Sequence, residues 1–303
     1  MSGSFRRSSC VWAVAVLVVL VGSPTPVRGQ EPMRILLTND DGIEEVEARL
    51  LPVAGRLREI AEVYIVVSNQ DRSGTSNMLA ISRSVSLESR LEYRSEAGSG
   101  QHLLEVHSVD GYPTDCVVLG VYGLLKGRNV DLVVSGPNGG ANLADGWFGS
   151  GTIGAARAAA FIGLPAVAIS GFDSSEPAQV AALAEWVSAL ARSDAVRTMP
   201  PLTYLTVAVP RTPPGEIRGV RVASRARLLS GFDVNRVAEM DTDDGPTAIW
   251  SLRPVTRQEL ASPEEDFSLY AENWIVVTPM TVDEHVDRAP GPIDELLTRL
   301  PPW

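Results

Sequence analysis

Short apolar runs alternate with polar loops and with segments of helical period along most of this chain. MRILLT, from Met33 to Thr38, reads as a strand buried on both faces, and it stops abruptly at Asn39-Asp40-Asp41-Gly42. Leu50, Val53, Leu57 and Ile60 recur at helical spacing between about Val46 and Ala61, with Pro52 near the helix start. VYIVV at 63–67 predicts a second strand, opening into the polar stretch from Ser68 to Ser76. Residues 81–109 read as shorter strands around a turn at Gly98-Ser99-Gly100, and Thr114 is placed to cap a helix from Asp115 to about Leu125. Val130 to Ser135 predicts a third buried strand, and a glycine-rich loop follows from Gly136 to Gly149. Ser150 or Gly151 then starts a helix running to Phe161, and Pro165 to Ser170 forms the next strand. This alternation with short links argues for a parallel α/β sheet.

Beyond Pro177 the pattern loosens. A helix at 178–191 and a strand at 204–209 precede a long polar tract from Arg225 to Glu265. A strand at 274–279 and a short helix at 293–300 close the chain, and no internal repeat or low-complexity block is present.

The first 29 residues have another character. Arg6 and Arg7 precede an apolar run from Cys10 to Val21, and Pro24, Pro26, Val27 and Gly29 follow. Twelve residues are too few for a membrane span, which needs about 20. The arrangement predicts a signal peptide over 1–29, cleavage before Gln30 and an exported, periplasmic or secreted domain with no stable membrane span. Cleavage would leave Cys116 as the sole cysteine, set in the apolar run CVVL and expected to fill core rather than to react. His102, His107 and His285 are widely separated, so a zinc site of the histidine-cluster kind is not expected. The net charge of -11 falls to -14 once Arg6, Arg7 and Arg28 are removed, which disfavours a nucleic acid polymer as partner. A phosphate-bearing substrate meets the same repulsion unless a cation offsets it.

Open α/β sheets bind ligands beyond the carboxyl ends of their strands. Asn39-Asp40-Asp41-Gly42, Asp71-Arg72-Ser73-Gly74 and Ser135-Gly136-Pro137-Asn138 each follow a predicted strand and should gather on one edge. Carboxylate, hydroxyl and amide oxygens are hard ligands, suited to Mg²⁺, Mn²⁺ or Ca²⁺. Asp-Asp-Gly is also an ordinary turn, and a second copy at Asp243-Asp244-Gly245 lacks a preceding apolar strand, so it reads as solvated. At a dry sheet edge two neighbouring carboxylates repel, which argues for a cation shared between them. Downstream, Ser150-Gly151-Thr152 at a helix start offers hydroxyls and free amides to an anion, although a serine cap alone gives the same signature.

Several motifs in one order carry a family resemblance. MRILLTNDDG ending at Gly42, RSGTS at 72–76, GYPTDC at 111–116, DLVVSGPNGGAN at 131–142, SGT at 150–152 and GLPAVAIS at 163–170 resemble the SurE family of survival-protein nucleotidases. The likeness implies an α/β, Rossmann-like, three-layer, mostly parallel sheet, with a core over 30–175 and a C-terminal part over 176–303. An extension at about 225–300 would serve oligomerisation as a homodimer or homotetramer. It also implies hydrolysis of nucleoside 5'- or 3'-monophosphates, or other phosphomonoesters, with a divalent cation. By motif, the metal ligands would be Asp40, Asp41, Ser73 and Asn138, with Asp40 and Asp41 catalytic. Asn39, Asn142, Ser150, Gly151 and Thr152 would line the phosphate site.

Three departures bear on substrate preference more than on metal binding. Ile43-Glu44-Glu45-Val46 replaces the customary Ala-Pro-Gly, Pro137 stands where an aliphatic residue is usual, and Asp145-Gly146-Trp147-Phe148 replaces an acidic pair and tyrosine. The alternative reading is an exported binding protein for an anionic or phosphorylated small molecule, without catalysis.

Overall fold

This computed structural model describes residues 32–242 and 245–283, all within one compact unit. The signal segment, Asp243, Asp244, His285 and the expected helix at 293–300 lie outside them. Strands run β1 (Met33–Thr38), β2 (Ala61–Ser68), β3 (Leu87–Ser89), β4 (Leu104–Val109), β5 (Leu132–Asn138), β6 (Ala166–Ser170) and β7 (Thr203–Ala208). They continue with β8 (Gly219–Val222), β9 (Leu229–Thr242), β10 (Gly245–Thr256) and β11 (Trp274–Thr281). The α-helices are α1 (Leu51–Leu57), α2 (Pro113–Leu119), α3 (Gly151–Phe161), α4 (Pro177–Arg192), α5 (Asp194–Arg197) and α6 (Asp266–Ala271).

Nine strands form one sheet in the order β3-β4-β2-β1-β5-β6-β7-β11-β8. From β4 to β7 all neighbours are parallel, while β3 and β11 each pair antiparallel with their inner neighbour. After β1 the chain builds outward through β2 to β4, then returns to the other side of β1 to lay down β5, β6 and β7. The reversal falls between β1 and β5, where Thr38 pairs with Ser135. A crevice must open there, because the connections leave on opposite faces.

Alternate residues of each strand serve opposite faces. Ile35, Leu37, Ile65, Val134 and Ile169 pack with Val53 and Leu57 of α1 and Leu183 and Val187 of α4. Leu36, Tyr64, Val66 and Val133 pack on the other side with Cys116 and Val117 of α2 and Ala155 and Ala159 of α3. That makes the three layers. Each fully buried leucine or isoleucine in β1 contributes about 1.5–3 kcal/mol. Cys116 is the core filler expected: burial pushes its thiol up to about 12, so no thiolate is available.

Several local expectations change. Thr114 caps nothing; it sits inside α2 with its hydroxyl buried and unpartnered among the described residues. Asp115 caps instead, accepting the Tyr112 N–H at 2.8 Å. The helix expected over 46–61 is an α-helix only from Leu51, preceded by a wider turn over Val46–Leu50. Most of the polar tract is a two-stranded ribbon of β9 and β10 that pairs with no other described strand. Its register sets Phe232 opposite Pro254 and Val234 opposite Leu252 on one face, while Asp233 meets Arg253 and Asn235 meets Ser251 on the other. Where the described parts of the two strands end, Thr242 Oγ1 donates to the Gly245 carbonyl at 2.8 Å.

Candidate active site

Asn39, Asp40 and Asp41 leave the end of β1 at this crevice, and β5 faces them. Beyond Ser135, β5 bulges before Asn138 rejoins the ladder opposite Ser170. Gly136 makes the bulge feasible. Its φ of 101° disfavours any side chain, and a Cβ there would lie 2.2 Å from the Ile169 carbonyl oxygen.

Asp40 is only 3% exposed. Its Oδ1 accepts the Thr152 hydroxyl at 2.5 Å, and its carbonyl accepts the Arg72 N–H at 2.7 Å. The first turn of α3 presses against the same carboxyl: a Cβ on Gly151 would lie 2.8 Å from Asp40 Cβ and 3.0 Å from Oδ2. Ser150 caps that helix, its Oγ accepting the Ile153 N–H at 3.1 Å. Thr152 therefore orients Asp40 rather than standing free toward a phosphate.

Asp41 turns to a different partner. Arg49 Nη1 donates to its Oδ2 at 2.6 Å and the guanidinium also pairs with Glu45 at 3.0 Å. A Cβ on Gly139 would meet Arg49 Nη1 at 2.9 Å, so Arg49 lies between Asp41 and the loop after β5. The Gly139 carbonyl accepts from Arg211 on its other side. Asn138 uses its amide Nδ2 locally, donating to the Gly140 carbonyl at 2.8 Å. Ser73 is exposed, its N–H tied to Asp71 Oδ1 at 2.8 Å. The loop carrying Ser73 is joined to the site through Arg72 and through Ser76, whose N–H donates to the Gly149 carbonyl at 3.0 Å.

Both carboxyls hold their protons more tightly than usual, and burial is the chief cause. It raises Asp40 against the pull of the Thr152 hydrogen bond, with repulsion from Asp71 a minor addition. Asp41 stands at about 6: burial raises it, Arg49 pulls it down, and Asp40 pushes it up less strongly. Mutual repulsion, the effect anticipated from adjacency alone, is secondary because the two side chains face different partners.

Around the pair lie polar atoms that the described residues leave without partners. Asn39 is fully buried with neither amide atom bonded, and Ser135 Oγ and Asn142 Nδ2 are likewise orphaned. Unmade bonds of this kind each cost about 1–3 kcal/mol unless a bound group completes them. The donors suit a hard divalent cation with an anion beside it: two carboxylates, amide oxygens and a hydroxyl. No cluster of three or more His, Cys, Asp or Glu occurs among the described residues, so such an ion would keep several waters, as Mg²⁺ does. Arg49 and Arg72 were missed in the sequence. Arg72 lies in the RSGTS motif but was given no role there; Arg49 sits in no motif and meets Asp41 only through the wide turn before α1, the acids Glu44, Glu45 and Glu47 around it being the one hint.

Comparison with known proteins points the same way. A family model described as Survival protein SurE matches residues 35–230. The 5'/3'-nucleotidase SurE of Cronobacter sakazakii is 38% identical over 88% of this chain and 96% of its own. The 5'-nucleotidase SurE of Alkalilimnicola ehrlichii is 35% identical over 83% of this chain and 90% of its own. Among solved structures, the SurE protein from Aquifex aeolicus superposes with a TM-score of 0.65 at 23% identity, covering 87% of this chain and 99% of that one. At that identity the structural likeness speaks for the fold alone.

Proposed function

The chain belongs to the SurE family, and from that premise we propose that it is a 5'/3'-nucleotidase, a phosphomonoesterase releasing phosphate from nucleoside monophosphates with the help of a divalent cation. The observation that carries the reading is the buried Asp40 carboxyl set against the capped start of α3, with the half-buried Asp41 beside it, at the switch point of the sheet.

Asp40, Asp41, Ser73 and Asn138 would hold the cation, Mg²⁺ or Mn²⁺ before Ca²⁺. When bound, such an ion polarises a phosphoryl oxygen and lowers the pKa of water next to it. The protein's own part is placement. Thr152 fixes Asp40 by its hydrogen bond, and Arg49 holds Asp41 while packing on Gly139. Asn39 and Asn142 offer amide groups, and the backbone N–H groups at the start of α3 offer positive ends, to the oxygens of the phosphate. These donors are fixed before substrate arrives, so little reorganisation is needed as charge builds on the phosphoryl oxygens. Below about pH 6 Asp41 keeps its proton, so cation uptake there must release it.

Two further elements complete the proposal. The apolar face of the ribbon, with Val234 and Leu252 exposed, fits a second copy of this chain and so a homodimer or homotetramer. The arginine pair and apolar run at the N-terminus fit an exported enzyme, periplasmic or secreted.

The test is phosphate release from AMP and from 3'-AMP with Mn²⁺ or Mg²⁺, by wild type and Asp40→Asn. Turnover should require the cation, stop with EDTA and be abolished in the variant while its melting temperature is kept. Wild-type turnover by Asp40→Asn would refute the assignment. An inert wild type that still binds nucleotide would favour the binding-protein alternative.

A further inference from the structure

A cationic recess separate from the acidic pair takes Arg157 of α3 as one of its walls. It encloses about 550 Å³ and is lined by Arg157, Arg225, Arg227, Trp147, Pro279 and Met280, with Asp283 as its one acid. Arg225 and Arg157 stack on the indole of Trp147 at 4.5 and 4.7 Å, so both are held in place rather than waving in solvent. Most arginines elsewhere in this acidic chain have a carboxylate, as Arg49 has Asp41 and Arg218 has Glu272. Among the described residues none of these three lies within 4.0 Å of one.

Two of the nearby acids are engaged with backbone. Asp145 spends its Oδ2 on the N–H groups of Leu228 and Leu229, at 2.6 and 2.7 Å. Asp266 accepts from Ala144 and Ala226, both at 2.8 Å. Arg225 is half-buried, and burial weakens its hold on its proton; the attraction of Asp145 opposes this in part, and repulsion from Arg227 adds to it. Two guanidiniums fixed on Trp147 with a third beside them, and Asp145 and Asp266 engaged with backbone N–H groups, leave a concentrated positive charge that an anion would neutralise.

We propose that this recess is a second anion site, distinct from the catalytic crevice, and that it takes a multiply charged phosphate chain. A monovalent anion would leave at least two of the three arginines unmatched. The site also shares elements with the catalytic one. Trp147 lies in the turn that leads through Gly149 to Ser150, and Arg157 follows Thr152 on α3 and donates to Asn77 Oδ1 at 3.1 Å.

The experiment titrates the full chain with inorganic tripolyphosphate in EDTA, which blocks cation-dependent turnover, and follows tryptophan emission against a Trp147→Phe reference. Wild type should give a saturable change borne by Trp147. Arg225→Ala/Arg227→Ala should weaken it at least tenfold, while Arg225→Lys/Arg227→Lys and Asp40→Asn should bind within a few-fold of wild type. Arg227→Glu, at an exposed position and so safe for folding, should weaken binding at least tenfold by itself. ATP run in parallel separates the sources: equal affinity assigns the site to the phosphate chain, and tighter binding adds the apolar wall of Pro279 and Met280. The proposal falls if wild type gives no Trp147 signal, if Arg227→Glu titrates like wild type, or if Asp40→Asn abolishes the response.

Discussion

Gly151→Ala sets two effects against each other, and the structure says which wins. Alanine favours a helix over glycine by up to about 1 kcal/mol. At Gly151, however, the new Cβ would stand 2.8 Å from Asp40 Cβ and 3.2 Å from Pro113 Cγ. Carbon atoms settle about 3.5–4.0 Å apart, so something must move by roughly 0.7 Å or more. Asp40 is hemmed in by the Thr152 hydrogen bond on its other oxygen, so the carboxyl or the whole first turn of α3 has to yield. A misplacement near 1 Å costs about 10²-fold in rate, or about 2.7 kcal/mol of activation free energy. The assay is kcat/KM for AMP with Mn²⁺, alongside the melting temperature, with Gly55→Ala as comparator. Gly55 lies in α1, where an added Cβ meets nothing within 4 Å, so that change should raise stability by about 0.5–1 kcal/mol and leave turnover alone. Gly151→Ala should lose about 10²-fold in kcat/KM and gain no stability. Wild-type turnover together with a stability gain matching Gly55→Ala would refute the idea that Gly151 is kept bare for Asp40.

Thr152→Val removes the hydroxyl that Asp40 accepts at 2.5 Å; hydrogen bonds to charged groups are worth about 1.5–3 kcal/mol, so kcat/KM should fall about 10–100-fold, whereas Thr152→Ser should retain most of it. The cation-free protein should lose stability as pH rises from about 4 to about 6. Over that window Asp41 has ionised in the unfolded chain, from an ordinary value of 3.8, but still holds its proton in the folded one, and above about 6 the curve should level. Asp40, also raised, adds a decline of the same sign. Urea unfolding in EDTA measures this; Asp41→Asn should flatten the slope, and saturating Mg²⁺ should cancel it in wild type by binding only the ionised folded form. On the ribbon, Val234→Glu/Leu252→Glu places charge on the exposed apolar face, so the proposed oligomer, seen by sedimentation of the wild type, should fall to monomer in the variant.

Where burial on both faces dictates residue type, the sequence was readable. MRILLT, VYIVV and the run before Ser135 are strands because only apolar side chains fit between two helical layers, and their order placed three polar loops on one edge. The ribbon was not readable in the same way. It has one apolar face, and Phe232 and Val234 alternate with Asp233 and Asn235, so no apolar run appears and the segment looked merely polar. Its alternation was the available signal, interrupted where the register shifts between Ile249 and Trp250.

The site divides along the same line. Which residues reach the crevice follows from strand ends and was legible; what each one touches there depends on packing and was not. Adjacent acids suggested a repelling pair, yet Asp40 points to α3 and Asp41 to Arg49, and burial dominates the proton affinity of both. Thr152 looked like a phosphate ligand because hydroxyls at helix starts bind anions, but its hydroxyl is spent on Asp40. On the proposed reading, that would leave the phosphate to backbone N–H groups and to the amides of Asn39 and Asn142, which have unpartnered atoms among the described residues. An anion held mainly by backbone and amides is held by shape rather than by charge, and in a chain of net charge -11 that is a weak grip. The proposed cation would therefore do double duty, neutralising two carboxylates and offsetting the repulsion of the phosphate, so substrate affinity as well as turnover should depend on it.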